Sequence, residues 1–219
     1  MSMYFIFSIK YFDFLITIHR DSFFNYYSSK FVNNTCKLYL DFPSINKEIL
    51  NNIDKNIKKI NDRILFIGIA THERYIILNY LSKKFKIDVY GAYWDRYKFL
   101  NHNVKVNYKT ITGSNYFKIL QKYKIVLPLP RKENSDLLNY KCAEILGING
   151  LLIIEENILS KKIQMLFDNV YLYNSNEDLV KIISNLMIKQ IDYKFRKNSL
   201  IFNKYNMFFE SRIKRVIYN

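Results

Sequence analysis

Residues 63–91, RILFIGIATHERYIILNYLSKKFKIDVYG, decide the fold class. RILFIGIA (63–70) is an almost unbroken apolar run of the kind a parallel strand shows when both of its faces are buried. It ends in Gly68 and the small residues Ala70 and Thr71. An amphipathic stretch of helical length runs from about 72 to 85, and KIDVYG (86–91) reads as a second strand. Strand, helix and strand in so short a span make a βαβ unit, and with it a parallel sheet.

The alternation continues towards the carboxyl end. NVKVNY (103–108), KIVLPL (124–129), LLII (151–154) and VYLY (170–173) read as strands. The intervening stretches 116–122, 135–146, 158–167 and 177–188 read as helices, with Asn134 or Ser135 and Asn174 or Ser175 as caps. Helical patterns over 193–204 and 206–217 are rich in Lys and Arg. The expectation is an α/β fold: a Rossmann-like, doubly wound parallel sheet from about residue 62 to 219.

Towards the amino end, YFDFLITI (11–18) and KLYLDF (37–42) read as strands flanking a helix over 20–31, a partial βαβ unit in residues 1–45. Between this piece and the main domain, residues 46–61 are polar, Asn- and Lys-rich, and read as a linker. The opening MSMYFIFSIKYFDFLITI is broken by Lys10 and Asp13 and lacks a small-residue cleavage site, so it reads as a strand rather than an export signal.

Composition narrows the classes further. The chain has 219 residues, 49% of them hydrophobic, with five Gly and three Pro, enough for a real core and incompatible with a disordered or collagen-like chain. A formal charge of +15 attracts anions: nucleotide phosphates, nucleic acid or acidic lipid headgroups. Abundant Lys, Asn, Ile, Tyr and Phe are also what AT-rich codons supply, so part of that charge has a mutational explanation. Cys36 and Cys142 are too few and too far apart for a disulfide scaffold or a zinc site, which fits a reducing cytoplasm.

Ligands of open parallel sheets bind beyond the carboxyl ends of the strands, so the residues that follow each strand carry the chemistry. After 63–70 these are Gly68, Thr71, His72, Glu73 and Arg74, leading into a helix whose free amides suit phosphate. A tight turn with solvated Glu73 and Arg74 explains them as well. Neither GxGxxG nor GxxxxGK[ST] is present, which argues against dinucleotide-dependent and P-loop enzymes. Arg131 and Lys132 follow KIVLPL and suit a diphosphate or a solvated loop. In SDLLNYKCAEILGINGLLIIEE (135–156), a helix bearing Asp136, Lys141 and Glu144 runs into a strand ending in Glu155 and Glu156, and a carboxylate there can hold ribose or sugar hydroxyls. For the basic carboxyl-terminal helices the alternative is binding to nucleic acid or an anionic membrane, though no RNA-binding aromatic motif or helix-turn-helix signal accompanies them.

The order of RILFIGIATHERYIILNYL, KIDVYGAYW, KIVLPLP, DLLNYKCAEILGINGLLIIEE, NVYLYNSNEDLVKIISNLM and YNMFFESRIKRVI resembles the carboxyl-terminal half of the CgeB-like glycosyltransferases, relatives of group 1 enzymes built from two facing Rossmann-like domains. Residues 1–45 resemble the last strand, helix and strand of that family's amino-terminal domain. The resemblance implies that residues 62–219 bind a nucleotide-sugar donor. It puts Lys141 on the basic and Glu144 on the ribose-holding position of a helix motif, Asp136 eight residues ahead on the first acid of a paired-acid motif, and Asn149 and Gly150 where two glycines are usual. The implied reaction is glycosyl transfer to an unknown acceptor without a required metal, the nucleotide sugar being a substrate and no cofactor being needed. The shortened amino-terminal part implies either a truncated donor-binding module or a partner chain that supplies the acceptor side. The catalytic base is open: His19 and His72 are the nearest candidates, and His102 lies in a polar loop. Peripheral attachment to a membrane through the basic helices is compatible with this reading.

Overall fold

The computed structural model describes residues 14–17, 36–39, 57–130, 140–189 and 195–204. Two short strands, β1 (Phe14–Thr17) and β2 (Cys36–Tyr39), pair in parallel, as the partial βαβ reading expects. The helix expected over 20–31 lies outside the described residues.

The main domain runs β3 (Ile60–Ile67), α1 (His72–Ser82), β4 (Lys86–Tyr90), β5 (Val104–Asn107), α2 (Gly113–Lys122) and β6 (Tyr123–Val126). It continues with α3 (Tyr140–Gly147), β7 (Leu151–Glu155), α4 (Ile158–Leu166), β8 (Val170–Tyr173), α5 (Asn176–Ile188) and α6 (Phe195–Lys204). β3 to β8 form one six-stranded sheet in the order β5-β4-β3-β6-β7-β8, every pair parallel. This is an α/β Rossmann-like fold: counted from β3, the strands stand 3-2-1-4-5-6.

The sheet is central because the run Ile64–Ile67 of β3 is apolar and buried on both faces. In β3, Leu65 and Ile67 join a core with Leu120 of α2, Ala143 and Ile145 of α3, Ile163 of α4 and Phe202 of α6. Ile64 and Phe66 point the other way, onto Leu78 and Leu81 of α1 and Leu179, Ile183 and Leu186 of α5. Each such side chain contributes roughly 1.5–3 kcal/mol by leaving water, and the doubly buried strand therefore reads as continuous rather than alternating.

Two polar devices hold the amino-terminal half of the sheet. Arg63 Nε and Nη2 donate to Asp88 Oδ2 and Oδ1 at 2.8 and 2.6 Å, and the Tyr123 hydroxyl donates to Oδ2 at 2.6 Å. A buried carboxylate so satisfied joins β3, β4 and β6. Lys124 Nζ donates to the carbonyls of Lys189 (2.7 Å) and Met187 (3.3 Å), closing the carboxyl end of α5, where helix carbonyls lack partners.

Two of the boundaries that differ from the sequence reading have a direct physical reason. β3 starts at Ile60, inside the stretch read as linker, because Ile60 pairs with Tyr123 before the buried run begins. β6 ends at Val126 rather than 129: the Leu127 amide still bonds to the Leu65 carbonyl (2.9 Å), but Pro128 has no amide to carry the ladder on.

Candidate functional site

The strand order reverses between β3 and β6, and the place where sheets of this kind form their ligand crevice lies beyond the carboxyl ends of these two strands. On the β3 side the chain leaves the sheet slowly. The Gly68 amide bonds to the Tyr90 carbonyl (2.8 Å) and the Ala70 amide to the Ala92 carbonyl (3.0 Å), keeping the β3 loop against the extension of β4. The indole of fully buried Trp94 donates to the Gly68 carbonyl at 2.8 Å and packs edge-on against Phe66. That approach requires Gly91, whose φ is +144° and whose hypothetical Cβ would sit 2.1 Å from the Gly68 oxygen. A Cβ on Gly68 would itself meet Phe66 Cζ at 3.0 Å and Arg74 Nη1 at 3.4 Å.

α1 begins at this loop, with its amino end at the crevice. Thr71 is the cap residue, its extended backbone turning the chain and its Oγ1 accepting from the Arg74 amide at 3.4 Å. His72 is exposed beside the Tyr97 ring, 6.5 Å between centroids, and Glu73 is exposed as well. Arg74 turns inward instead. It is buried, its Nε and Nη2 donate to the Leu129 carbonyl (3.1 and 2.7 Å), and its Nη1 donates to the Ile69 carbonyl (3.0 Å). The reading of Arg74 as a solvated residue of a tight turn therefore fails, because its fork of N–H groups is turned inward onto main-chain oxygens of two loops.

α3 supplies the facing wall. Lys141 and Glu144, three residues apart, share one side of the helix. Lys141 Nζ donates to the Ile67 carbonyl at the last residue of β3 and lies 5.6 Å from the centre of the Phe66 ring. The Arg74 guanidinium lies 5.5 Å from the same ring. Burial pushes the Lys141 ammonium down to about 8, nearby Arg74 adds to this, and Glu144 opposes it. Glu144 Oε2 accepts a 2.6 Å bond from the Tyr116 hydroxyl of α2. Burial raises the Glu144 carboxyl above its ordinary range, while the Tyr116 bond and Lys141 pull the other way. The Tyr116 phenol is pushed up by the same burial and by the neighbouring carboxylate.

The structure thus brings Gly68, Thr71, Arg74, Lys141 and Glu144 to one end of the sheet around the β3/β6 junction. Glu155, the last residue of β7, is exposed at the same edge but two strands from β3, on the order of 10 Å by strand spacing. Glu156 is occupied by Lys161 and by Asn174 Nδ2 (3.1 Å). His102 precedes β5 and belongs to the opposite edge. Arg131, Lys132, Asp136 and His19 lie outside the described residues. Among the described residues no three of His, Cys, Asp and Glu gather as a metal site, and no helix is long and apolar enough to cross a membrane.

Sequence reasoning missed Tyr116, Trp94, Gly91 and the Leu129 carbonyl. Only Gly91 carried a signal, a glycine directly after a strand. Asn149 does adopt the left-handed conformation (φ 58°) that its glycine-like position demands. The Gly150 amide bonds back to the Ile145 carbonyl (2.7 Å) and the Asn149 amide to that of Leu146 (3.0 Å), closing α3 in a Schellman motif.

Chemically, the crevice offers a helix amino end, an ammonium resting on a carbonyl, and a carboxylate one helical turn away, a set suited to a phosphorylated, polyhydroxylated ligand. No curated protein matches the chain in sequence. Among solved structures it is similar to trehalose-6-phosphate synthase OtsA (11% identity, TM-score 0.58), covering 84% of this chain and 52% of that one. It is also similar to AviGT4, a glycosyltransferase involved in avilamycin A biosynthesis (12%, 0.53, 81% and 58%). A third likeness is to the amino-terminal domain of Candida albicans trehalose-6-phosphate phosphatase (12%, 0.52, 81% and 47%). The chain spans about half the length of these structures, and at such identities they show a shared fold of the GT-B type. Residues 74–192, from the buried arginine through α5, match the model of one family over more than half of the chain, and this protein belongs to that family, the glycosyl transferase-like proteins.

Proposed function

We propose that the chain binds the nucleotide-sugar donor of a glycosyl transfer in the β3/β6 crevice, in the manner of the CgeB-like enzymes. The amino end of α1 (Gly68, Thr71, His72) and Lys141 take the diphosphate, and Glu144 takes the ribose hydroxyls. Arg131, Lys132 and Asp136 complete the donor contacts, with Glu155 at the outer rim. In the reaction the acceptor hydroxyl attacks the anomeric carbon and loses its proton to a base. The bond from that carbon to the diphosphate breaks, and the charge that develops on the departing oxygen is met by the Lys141 ammonium and helix amides. The reading invokes no metal and no cofactor, and His19 or His72 is the base if this chain carries one; otherwise a partner chain brings both base and acceptor. The setting is the cytoplasm, with basic helices able to rest on an anionic membrane.

The observation that carries this reading is Lys141 seated on the last carbonyl of β3 with Glu144 one turn along the same helix, held by Tyr116: two charged groups beside the sheet's switch point, where structural need alone favours apolar residues. A thermal-shift series with UDP-, GDP- and dTDP-sugars tests it: one nucleotide class should raise the melting temperature in proportion to the logarithm of its concentration. Lys141→Met and Glu144→Gln should each weaken that ligand at least about tenfold, the loss of one charge-assisted contact. Unchanged affinity in both variants removes the site assignment.

A further inference from the structure

The geometry points to Arg74 as a positioning residue: a strap across the switch point that locks the β3 loop to the β6 loop and so fixes the shape of the crevice, without itself touching the donor. The part concerning the donor rests on the function proposed above; the strap does not.

Arg74 is the first residue of α1 to turn towards the sheet, and its guanidinium reaches both sides of the crevice. Two of its nitrogens bond to the Leu129 carbonyl, three residues past the end of β6, and a third bonds to the Ile69 carbonyl, two residues past the end of β3. In this region the strand ladder gives out. The Leu127 amide makes the last ladder bond between the two strands, to the Leu65 carbonyl, and Pro128 and Pro130 have no amide to offer. Where main-chain bonds can no longer hold β3 and β6 together, a side chain does so. Its environment excludes water: Arg74 is 8% exposed, its guanidinium lies over the Phe66 ring, and Gly68 leaves the space that the Nη1 group fills. Such a planar fork satisfies two separate carbonyls at once; a lysine has the charge but not the fork. The pair of parked cations then divides its labour. Arg74 ties two loops together through its bonds to Leu129 and Ile69, whereas Lys141, seated on the Ile67 carbonyl, is the group able to exchange that partner for a phosphate.

Backbone amide exchange and UDP affinity, measured on the full chain, test the strap. Arg74→Gln should speed exchange at Ala70 and at Leu129 together by about tenfold or more and weaken UDP by a similar factor. Arg74→Lys, which keeps the charge and guards against a variant that fails to fold, should free at least one of the two loops. Lys124→Met is the control for general destabilisation, because it removes the cap of α5 at the other end of the sheet; it should lower the melting temperature while leaving exchange at Ala70 and Leu129 and UDP affinity as in the parent. Unchanged exchange at either loop in both Arg74 variants overturns the strap, whatever the nucleotide result. Equal losses in Lys124→Met overturn it too, since the effect would then belong to stability. Faster exchange at both loops in a protein that binds none of UDP, GDP and dTDP upholds the strap and overturns the donor reading alone.

Discussion

Lys141 carries the clearest energetic conflict in the molecule. Its ammonium is desolvated beside Arg74, and among the described residues the carboxylate close by, Glu144, is itself shifted towards its neutral form. The folded pKa of about 8 against an ordinary 10.5 means that between these values the unfolded chain holds a proton the folded chain has released. Stability from this group therefore rises as pH climbs through 8 towards 10.5, and the full cost is present below 8. Lys141→Met keeps the stem over Phe66 and removes the cost. Partial exposure and the lost bond to Ile67 discount the gain, so the variant should be more stable than the parent by on the order of 1 kcal/mol at pH 7, with the difference vanishing by about pH 10 in urea titrations. On the proposed function, a bound diphosphate would restore the proton, so affinity for a nucleotide sugar should fall as pH passes 8 in the parent and show no such step in Lys141→Met. A less stable variant at neutral pH would make Lys141 a structural residue. Lys141 and Glu144 could be named from the sequence because they sit on a helix that runs into a buried strand and because the family resemblance points to them. Tyr116 was not: it meets Glu144 across a helix contact 28 residues away, which no local pattern encodes.

Among elements, the ends of β3 and β4 show how a strand can be legible while its terminus is not. The apolar run RILFI announced a buried strand, but Ile60, Asn61 and Asp62 extend it through the pairing of Ile60 with Tyr123 rather than through a continuous buried run, a distinction hydropathy cannot register. After β4 the chain adopts a left-handed residue at Tyr93 (φ 65°) and a 3-10 turn over Trp94–Arg96, with no glycine at the positive φ to betray it. What the sequence did display was Gly91. Its substitution tests whether the β3 loop is held as tightly as the bonds to Gly68 suggest. Gly91→Ala meets both a backbone oxygen at 2.1 Å, which cannot rotate aside, and a φ of +144° that side chains rarely adopt. The expected cost is on the order of 3 kcal/mol or more, read as a lower denaturation midpoint. Gly68→Ala should cost less, since its nearest neighbour is the edge of the Phe66 ring, able to yield by a few tenths of an ångström. Equal losses would mean that the Gly68–Gly91 contact relaxes freely.

At the scale of the whole molecule, alternating apolar and amphipathic stretches revealed a doubly wound sheet, yet strand order is a property of long-range pairing. That β6 lies beside β3, and so creates the crevice, followed only from the general habit of such folds. The charge of +15 is likewise visible in composition but silent about where an anion is held. Salt separates the two ways of holding one. A polyanion gripped by a diffuse basic surface through six to ten phosphates loses roughly 10³–10⁵ in affinity between 50 and 200 mM salt, because each contact releases a counterion. On the proposed function, a nucleotide sugar in the β3/β6 crevice would meet Lys141 and helix dipoles in a partly dry site where screening is weak, and its affinity should fall by less than about tenfold over the same range. Paired titrations of a UDP-sugar and a short DNA duplex against the same protein give both slopes. Parallel, steep losses would place the sugar nucleotide on the general basic surface and leave the crevice without a ligand. A duplex that stayed bound at 200 mM with sequence preference would instead make nucleic acid the partner for which this charge is arranged.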